Sequence, residues 1–344
     1  MIGRFGWRMW LAFAILAALP ALPFMTGYRL NLAFDALLFG IVAMSLDLLM
    51  GYTGMISFGH AAFLGLRAYS TAILLERGVR SLWLCLGAAV VVVGVYALVV
   101  AYFATTRRGI YFALLTLIFA EVVYTFFRYT QTFGGSDGIQ GLEAPHLIPG
   151  VPASTLGSPL ENYYLVLILL LLTYVLCRTL VESHFGRVLI AIRENEDRAR
   201  FLGYHVRGYK MAVCLISALL AGVAGAVYPV RLANATPDLL LWTISGEAIV
   251  MVMIGGIGTL VGPVIGGVFF ILLQEEVSTY APRLYQLLGF SPEKGAGLHF
   301  LIIGIILVLI VLFMPKGLVG LFRRRRARRA PSAAVQTVPA GELE

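Results

Sequence analysis

The sequence predicts an all-α polytopic membrane protein with eight full transmembrane helices and one broken re-entrant hairpin. Composition is the first observation behind this. Of 344 residues, 60% are hydrophobic and only 13% are charged, and the mean hydropathy is +0.88. A soluble domain carries roughly a quarter charged residues, so this chain has too few to coat a water-facing surface. The second observation is a set of apolar runs without polar alternation, such as residues 82–105 and 164–176. The third is charge placement. Arg323, Arg324, Arg325, Arg326, Arg328 and Arg329 follow the last apolar run directly. Such a cluster fits a cytoplasmic anchor against anionic membrane lipid, not a nucleic-acid-reading element. A soluble enzyme, a nucleic-acid binder and a disordered regulator are poor readings of this chain.

A crossing needs about 20 residues. In order, the expected full spans are residues 7–25, 30–50, 56–75, 82–105, 111–129, 163–177, 211–230 and 298–314. The first imitates a signal peptide, with an early basic region and small residues at 18–21. A retained helix is preferred, because losing it would spoil the topology. Charge then sets the sides. Arg4 and Arg8, Arg107 and Arg108, seven basic residues in 178–210, and Lys316 with the arginine cluster all mark the cytoplasmic face. Residues 131–162 contain no Lys or Arg and fit the outer face, where Arg77 and Arg80 are exceptions. Both termini are therefore expected inside.

Residues 247–273 are long enough to cross once, but one crossing would put the arginine tail outside. Two half-helices that enter and return remove the conflict, with the break at the GGIGTLVGP run, 255–263. A kinked pair of full crossings preserves the same topology. Non-helical backbone at this depth is tolerated only inside protein or along a water-lined path, which makes Gly255, Gly256 and Gly258 candidate gating residues. The spacing of Gly258, Gly262 and Gly266 also permits close helix approach.

One stretch carries a specific resemblance. The run GYTGMISFGHAAFLG at 51–65 is followed by RGIYFA at 108–113 with Glu121, and by GGSDG at 134–138. Then come FGR at 185–187, AIRENE at 191–196, Leu202 with Gly203, the 255–263 run, and PKG at 315–317. In this order and over nearly the whole chain, the blocks resemble the LivM-type permease subunit of bacterial branched-chain amino acid ABC importers. The resemblance implies one half of a heterodimeric channel in the bacterial inner membrane. It implies a LivH-type partner permease, two cytoplasmic ATPases and a periplasmic binding protein. Residues 1–320 would form the permease domain and 321–344 a flexible basic tail. No GxxxxGK[ST] phosphate loop is present. The chain is accordingly expected to be no enzyme and to bind no cofactor, with ATP and Mg on the partner ATPases.

The inner segment 178–210 is the expected coupling region. Residues 191–202 read as a short helix with Glu194–Arg198 and Glu196–Arg200 at i,i+4 spacing, ended by Gly203. The resemblance makes this the ATPase-docking helix, with Arg193, Glu194, Asn195, Glu196, Arg198, Arg200 and Gly203 as candidates. The alternative is a solvated loop. Arg198 and Arg200 stand where the family usually has Ala and Glu, which changes the charge offered to the ATPase.

Asp47, His60, Arg67 and Glu121 fall within or beside apolar spans, where ionisable groups are expensive and face a path or a partner. A pair between Asp47 and Arg67 across adjacent helices is one reading; Arg67, itself a departure from the family's Gly, alternatively snorkels to an interface or faces the path. His60, in a helix start with Ser57, either bonds adjacent backbone or lines the path. Glu121 has no neutralising neighbour in sequence, so a structural pair and a path role stay open. No metal-ligand spacing and no nucleophile–base arrangement is present, and Cys85, Cys177 and Cys214 read as apolar packing. The cargo is expected to be leucine, isoleucine or valine. The rivals are urea, short amides or other amino acids on the same machine, or an ion-coupled secondary transporter.

Overall fold

The computed structural model describes residues 7–22, 25–146, 156–287, 298–313 and 317–320. The arginine cluster, the 321–344 tail, Arg4 and Lys316 lie outside the described residues. The helices are α1 (Trp7–Ala18), α2 (Gly27–Thr53), α3 (His60–Glu76), α4 (Leu82–Ala104), α5 (Ile110–Tyr129) and α6 (Pro159–Glu182). They continue with α7 (His184–Glu194), α8 (Glu196–Phe201), α9 (Val206–Leu232), α10 (Trp242–Gly255), α11 (Val261–Leu287) and α12 (Leu298–Phe313). A two-residue antiparallel ladder joins β1 (Ile139–Gln140) to β2 (Asn234–Ala235), with Ile139 opposite Ala235. The long helices run between a β1–β2 end and an α7–α8 end.

Lipid chemistry explains why these sequences are helical. α4 is Val-rich, a poor pattern for a water-exposed helix, yet a helix satisfies its interior backbone groups within the segment, which lipid demands. Its buried positions include Cys85, Ala89, Val93, Ala97 and Ala101, spaced four apart, while Leu84, Val91 and Val95 are exposed. The helix is apolar all round and small on the side that packs. α9 does the same with Ala218, Ala221, Gly222 and Gly225, and a Cβ on Gly225 would collide with the Leu64 carbonyl of α3. α2 and α9 are the most buried long apolar helices; α6 and α11 pack on α2, and α3 and α4 pack on α9.

Among the described residues, six helices are long and apolar enough to cross a membrane: α2, α4, α5, α6, α9 and the Val261–Tyr280 part of α11. The chain is a multi-pass membrane protein, but eight full spans are not formed among the described residues. α1 has 12 residues and gives way to a 3-10 turn containing Pro20. α3 has 17 residues, because residues 54–59 are not helical and the helix starts only at His60. The described part of α12 has 16 residues.

The expected break is present but its limbs are unequal. α10 has 14 residues and α11 has 27, so one half-helix is joined to one full-length helix. A Cβ on Gly266 would strike the Met251 carbonyl, and one on Gly255 the Gly262 carbonyl, which fixes the two helices as a tight antiparallel hairpin. The loop between them lies at the α7–α8 end. Arg77 and Arg80 lie at the β1–β2 end, where Arg80 forms an ion pair with Glu143.

Candidate functional site

The break between α10 and α11 is built by backbone that only a few residues permit. Gly256 and Gly258 have φ of 120° and 73°, and Leu260 has φ of 55°, a costly value for a side chain with a Cβ. A buried carboxylate holds this shape. Asp47 Oδ1 accepts a hydrogen bond from the Gly258 amide at 2.7 Å and Oδ2 accepts one from the Leu260 amide at 3.2 Å. Thr259 closes the loop from within, donating to the Gly256 carbonyl at 2.7 Å and accepting from the Gly262 amide at 3.0 Å. The Tyr52 hydroxyl donates to the Gly258 carbonyl at 3.1 Å. Asp47 thus spends its charge on amides that no helix satisfies.

The same loop is linked to α7. Arg193 donates to the Gly51 carbonyl. Gly51 lies in the last turn of α2, where carbonyls lack helical partners and the dipole favours a cation. A Cβ on Gly51 would collide with Asp47 and the Gly258 amide. Gly51 is therefore the point where α2, the α10–α11 loop and the Arg193 guanidinium meet. Gly317 seals the loop from another side, since its Cβ would lie 2.6 Å from the Gly256 backbone.

A second irregular stretch, 54–59, ends at depth. Gly54, with φ of 73°, caps α2, and α3 restarts at His60. His60 Nε2 lies 2.8 Å from Ser217 Oγ, whose proton goes to the Ser45 carbonyl. That assignment makes Nε2 the protonated nitrogen and leaves Nδ1 an acceptor without a partner among the described residues. Ser45 is eight residues before the end of α2, about 12 Å along the axis. Side chains meet the backbone's needs here. Thr116 accepts from the Phe58 amide at 3.1 Å, Ser57 from Gly59 at 3.2 Å and Ser245 from Ala61 at 2.8 Å. The Ser245 contact brings the starts of α3 and α10 together.

The expected Asp47–Arg67 pair is not formed. Asp47 is committed to the loop, and Arg67 sits two turns farther along α3 in the other direction. Arg67 donates to the Leu86 carbonyl at 3.1 Å and the Leu219 carbonyl at 3.5 Å, stitching α3 to α4 and α9. Glu121 stands apart on α5, and its Oε2 is buried without a partner among the described residues.

The segment expected to couple, read as one helix over 191–202, folds as parts of two helices. Asn195, with φ of −159°, ends α7, and its side chain accepts from the Arg198 amide at 2.9 Å as the N-cap of α8. That bend separates Glu194 from Arg198, and no ion pair links them among the described residues. Glu196–Arg200 is formed at 3.3 Å. Glu196 also meets Arg108 at 3.1 Å and Lys210 at 2.6 Å, so one carboxylate ties the α4–α5 turn and α9 to α8. Arg108 adds Asp197 at 2.9 Å and holds its carboxyl below the usual carboxylate range. Gly203, with φ of 88°, follows the end of α8.

The sequence model of the family described as "Branched-chain amino acid transport system / permease component" matches residues 28–311. The chain belongs to that family. The high-affinity branched-chain amino acid transport system permease protein LivM of Escherichia coli K12 is 24% identical over 331 residues, covering 90% of this chain and 74% of the relative. The probable LivM protein of Methanocaldococcus jannaschii is 23% identical, over 82% of this chain and 90% of its own. The probable LivH protein of the same organism is 32% identical over 164 residues, 46% of each chain. No solved structure matches.

In this permease the candidate residues fall into separate groups. Asp47, Gly255, Gly256, Gly258 and Arg193 converge on one loop. Ser57 and His60 organise the start of α3, and Arg67 braces its neighbours. Glu194, Asn195, Glu196, Arg198, Arg200 and Gly203 belong to the α7–α8 segment. Sequence reasoning placed Phe201 and Leu202 in the short helix but missed that both are exposed apolar side chains, at 90% and 70%. The available signal was an Phe-Leu pair directly before Gly203 at the end of a charged helix.

Proposed function

We propose that the chain is the LivM-type half of a paired channel in an ATP-driven importer of branched-chain amino acids, in the bacterial inner membrane with its α7–α8 end in the cytoplasm. A LivH-type permease forms the other half, two ATPases carry ATP and Mg, and a periplasmic binding protein delivers the cargo. The basic residues at the α7–α8 end support this orientation. The chain itself is a path and a lever, without a catalytic role.

The observation that carries the mechanism is the contact chain from Arg193 through Gly51 to the Asp47-held loop. ATPase closure moves α7 and α8 through their exposed surface, where Phe201 and Leu202 offer apolar anchors. Arg193 passes that movement to the end of α2. A loop held by two amide–carboxylate bonds and close glycine contacts has few intermediate positions, so it switches between discrete arrangements. α10, hinged on that loop and starting at depth beside α3, then opens or closes the path.

The test is uptake of labelled leucine by proteoliposomes holding the full complex, with and without internal ATP and the delivery protein. The reading expects uptake only when both are present. Uptake unchanged by removing them would instead establish an ion-coupled secondary transporter.

A further inference from the structure

Near the β1–β2 end, a cavity of about 210 Å³ opens between α2, α9 and α11, away from the break loop and the coupling helices. Its lining divides by chemistry. Leu32 and Phe39 of α2 and Ile271 of α11 are apolar. Asp35 of α2, Arg231 of α9, and Gln274 with Glu275 of α11 are polar or charged. Helix geometry makes this division. Residues 32, 35 and 39 share one face of α2, and 271, 274 and 275 share one face of α11.

The charged groups are already arranged as a pair of opposite signs. Arg231 Nη2 donates to both Asp35 oxygens, at 2.7 and 2.9 Å. Nε has no hydrogen-bond partner among the described residues, so the guanidinium retains donor capacity. Glu275, which accepts from the Tyr28 hydroxyl, supplies a second carboxylate. Charges inside a membrane protein are expensive unless they serve a path or a partner. One ion pair would suffice to tie α2 to α9. The extra carboxylate, the amide and the open volume are not needed for that.

We propose that this cavity is a transit site for a free zwitterionic α-amino acid with an aliphatic side chain. Arg231 receives the carboxylate, Asp35 and Glu275 receive the ammonium, and Leu32, Phe39 and Ile271 receive the side chain. The size is suitable, because a cavity of about 150 Å³ already accepts a six-carbon ring. A zwitterion exchanges into an existing ion pair without adding net charge, which limits the desolvation cost. The proposal rests on the importer reading and adds where the cargo is held. The two ends are also mechanically joined, because α2 and α11 line this cavity and, at their other ends, frame the Asp47-held loop.

The test uses the full complex in lipid nanodiscs with Leu32→Cys, labelled by a small thiosulfonate reagent. The native cysteines are buried. Leucine is expected to slow labelling saturably, by about tenfold at ten times its Kd. Leucinol, lacking the carboxylate, and 4-methylpentanoate, lacking the ammonium, should leave the rate unchanged. Gln274→Leu in the Leu32→Cys background, which leaves the ion pair intact, should weaken protection, read as the ratio of that variant's own rates with and without leucine. Equal protection by all three ligands, or none by leucine, overturns the proposal. ATP-dependent uptake by the parent complex is read separately. Protection without such uptake would keep the site and remove the importer reading, and uptake without protection would do the reverse.

Discussion

Asp47 holds the break between α10 and α11 directly, because its partners are backbone amides of that loop. Asp47→Asn keeps the shape but turns one acceptor into a donor facing an amide N–H. An unmatched buried donor costs about 1–3 kcal/mol, so amide exchange at residues 256–262 should quicken by roughly tenfold or more relative to wild type. Unchanged exchange would mean the loop holds itself. Glycines make an equally specific prediction. A Cβ at Gly255 would meet backbone, whereas one at Gly246, on the same helix, would meet open space. Gly255→Ala should lower the thermal unfolding midpoint in detergent, by about 1–3 kcal/mol of overpacking. Gly246→Ala should leave it unchanged or raise it slightly. Asp47 also marks a limit of sequence reasoning. Its ionisable character and depth flagged it, but its partners lie 211 and 213 positions away and are peptide groups, which leave no side-chain signature.

At the scale of the element, the α7–α8 segment is anchored by charge at one bend. Asn195 divides it, and Arg108, Arg200 and Lys210 converge on Glu196. The depressed Asp197 carboxyl adds a pH dependence with a definite sign. A group whose folded value is lowered contributes stability above its unfolded value of about 3.9 and loses it as pH falls through the folded one. Protection factors for α8 amides, corrected for intrinsic exchange, should therefore fall below about pH 4. Asp197→Asn should remove that component, and a step of the same size in the variant would contradict the assignment. The pattern of i,i+4 charges revealed a helix here, but not the bend, because Asn at a cap and Asn within a helix look alike in sequence. α4 and α9 were legible for the opposite reason, since lipid demands about 20 apolar residues and they supply them. α3 and α10 were harder, because both are short. α3 starts at depth after irregular chain, where Thr116 and Ser245 accept from the Phe58 and Ala61 amides and set the boundary.

For the whole molecule, α2 and α11 connect two polar clusters. One end holds the loop that Arg193 touches, and the other lines the charged and apolar cavity. Charge and hydropathy made the multi-pass architecture visible. They did not show that two polar clusters share the same pair of helices, because that depends on packing between distant segments. The central claim is that movement of α7 reaches the path through Arg193. The measurement that tests it most directly is leucine uptake per ATP hydrolysed in proteoliposomes containing Arg193→Ala, beside wild type and Arg193→Lys. The account predicts that Arg193→Ala keeps delivery-protein-stimulated ATP hydrolysis while uptake per ATP falls by about tenfold, equivalent to about 1.4 kcal/mol of lost coupling. Arg193→Lys should recover part of the loss. An Arg193→Ala complex that hydrolyses ATP and transports leucine at the wild-type ratio would contradict the account.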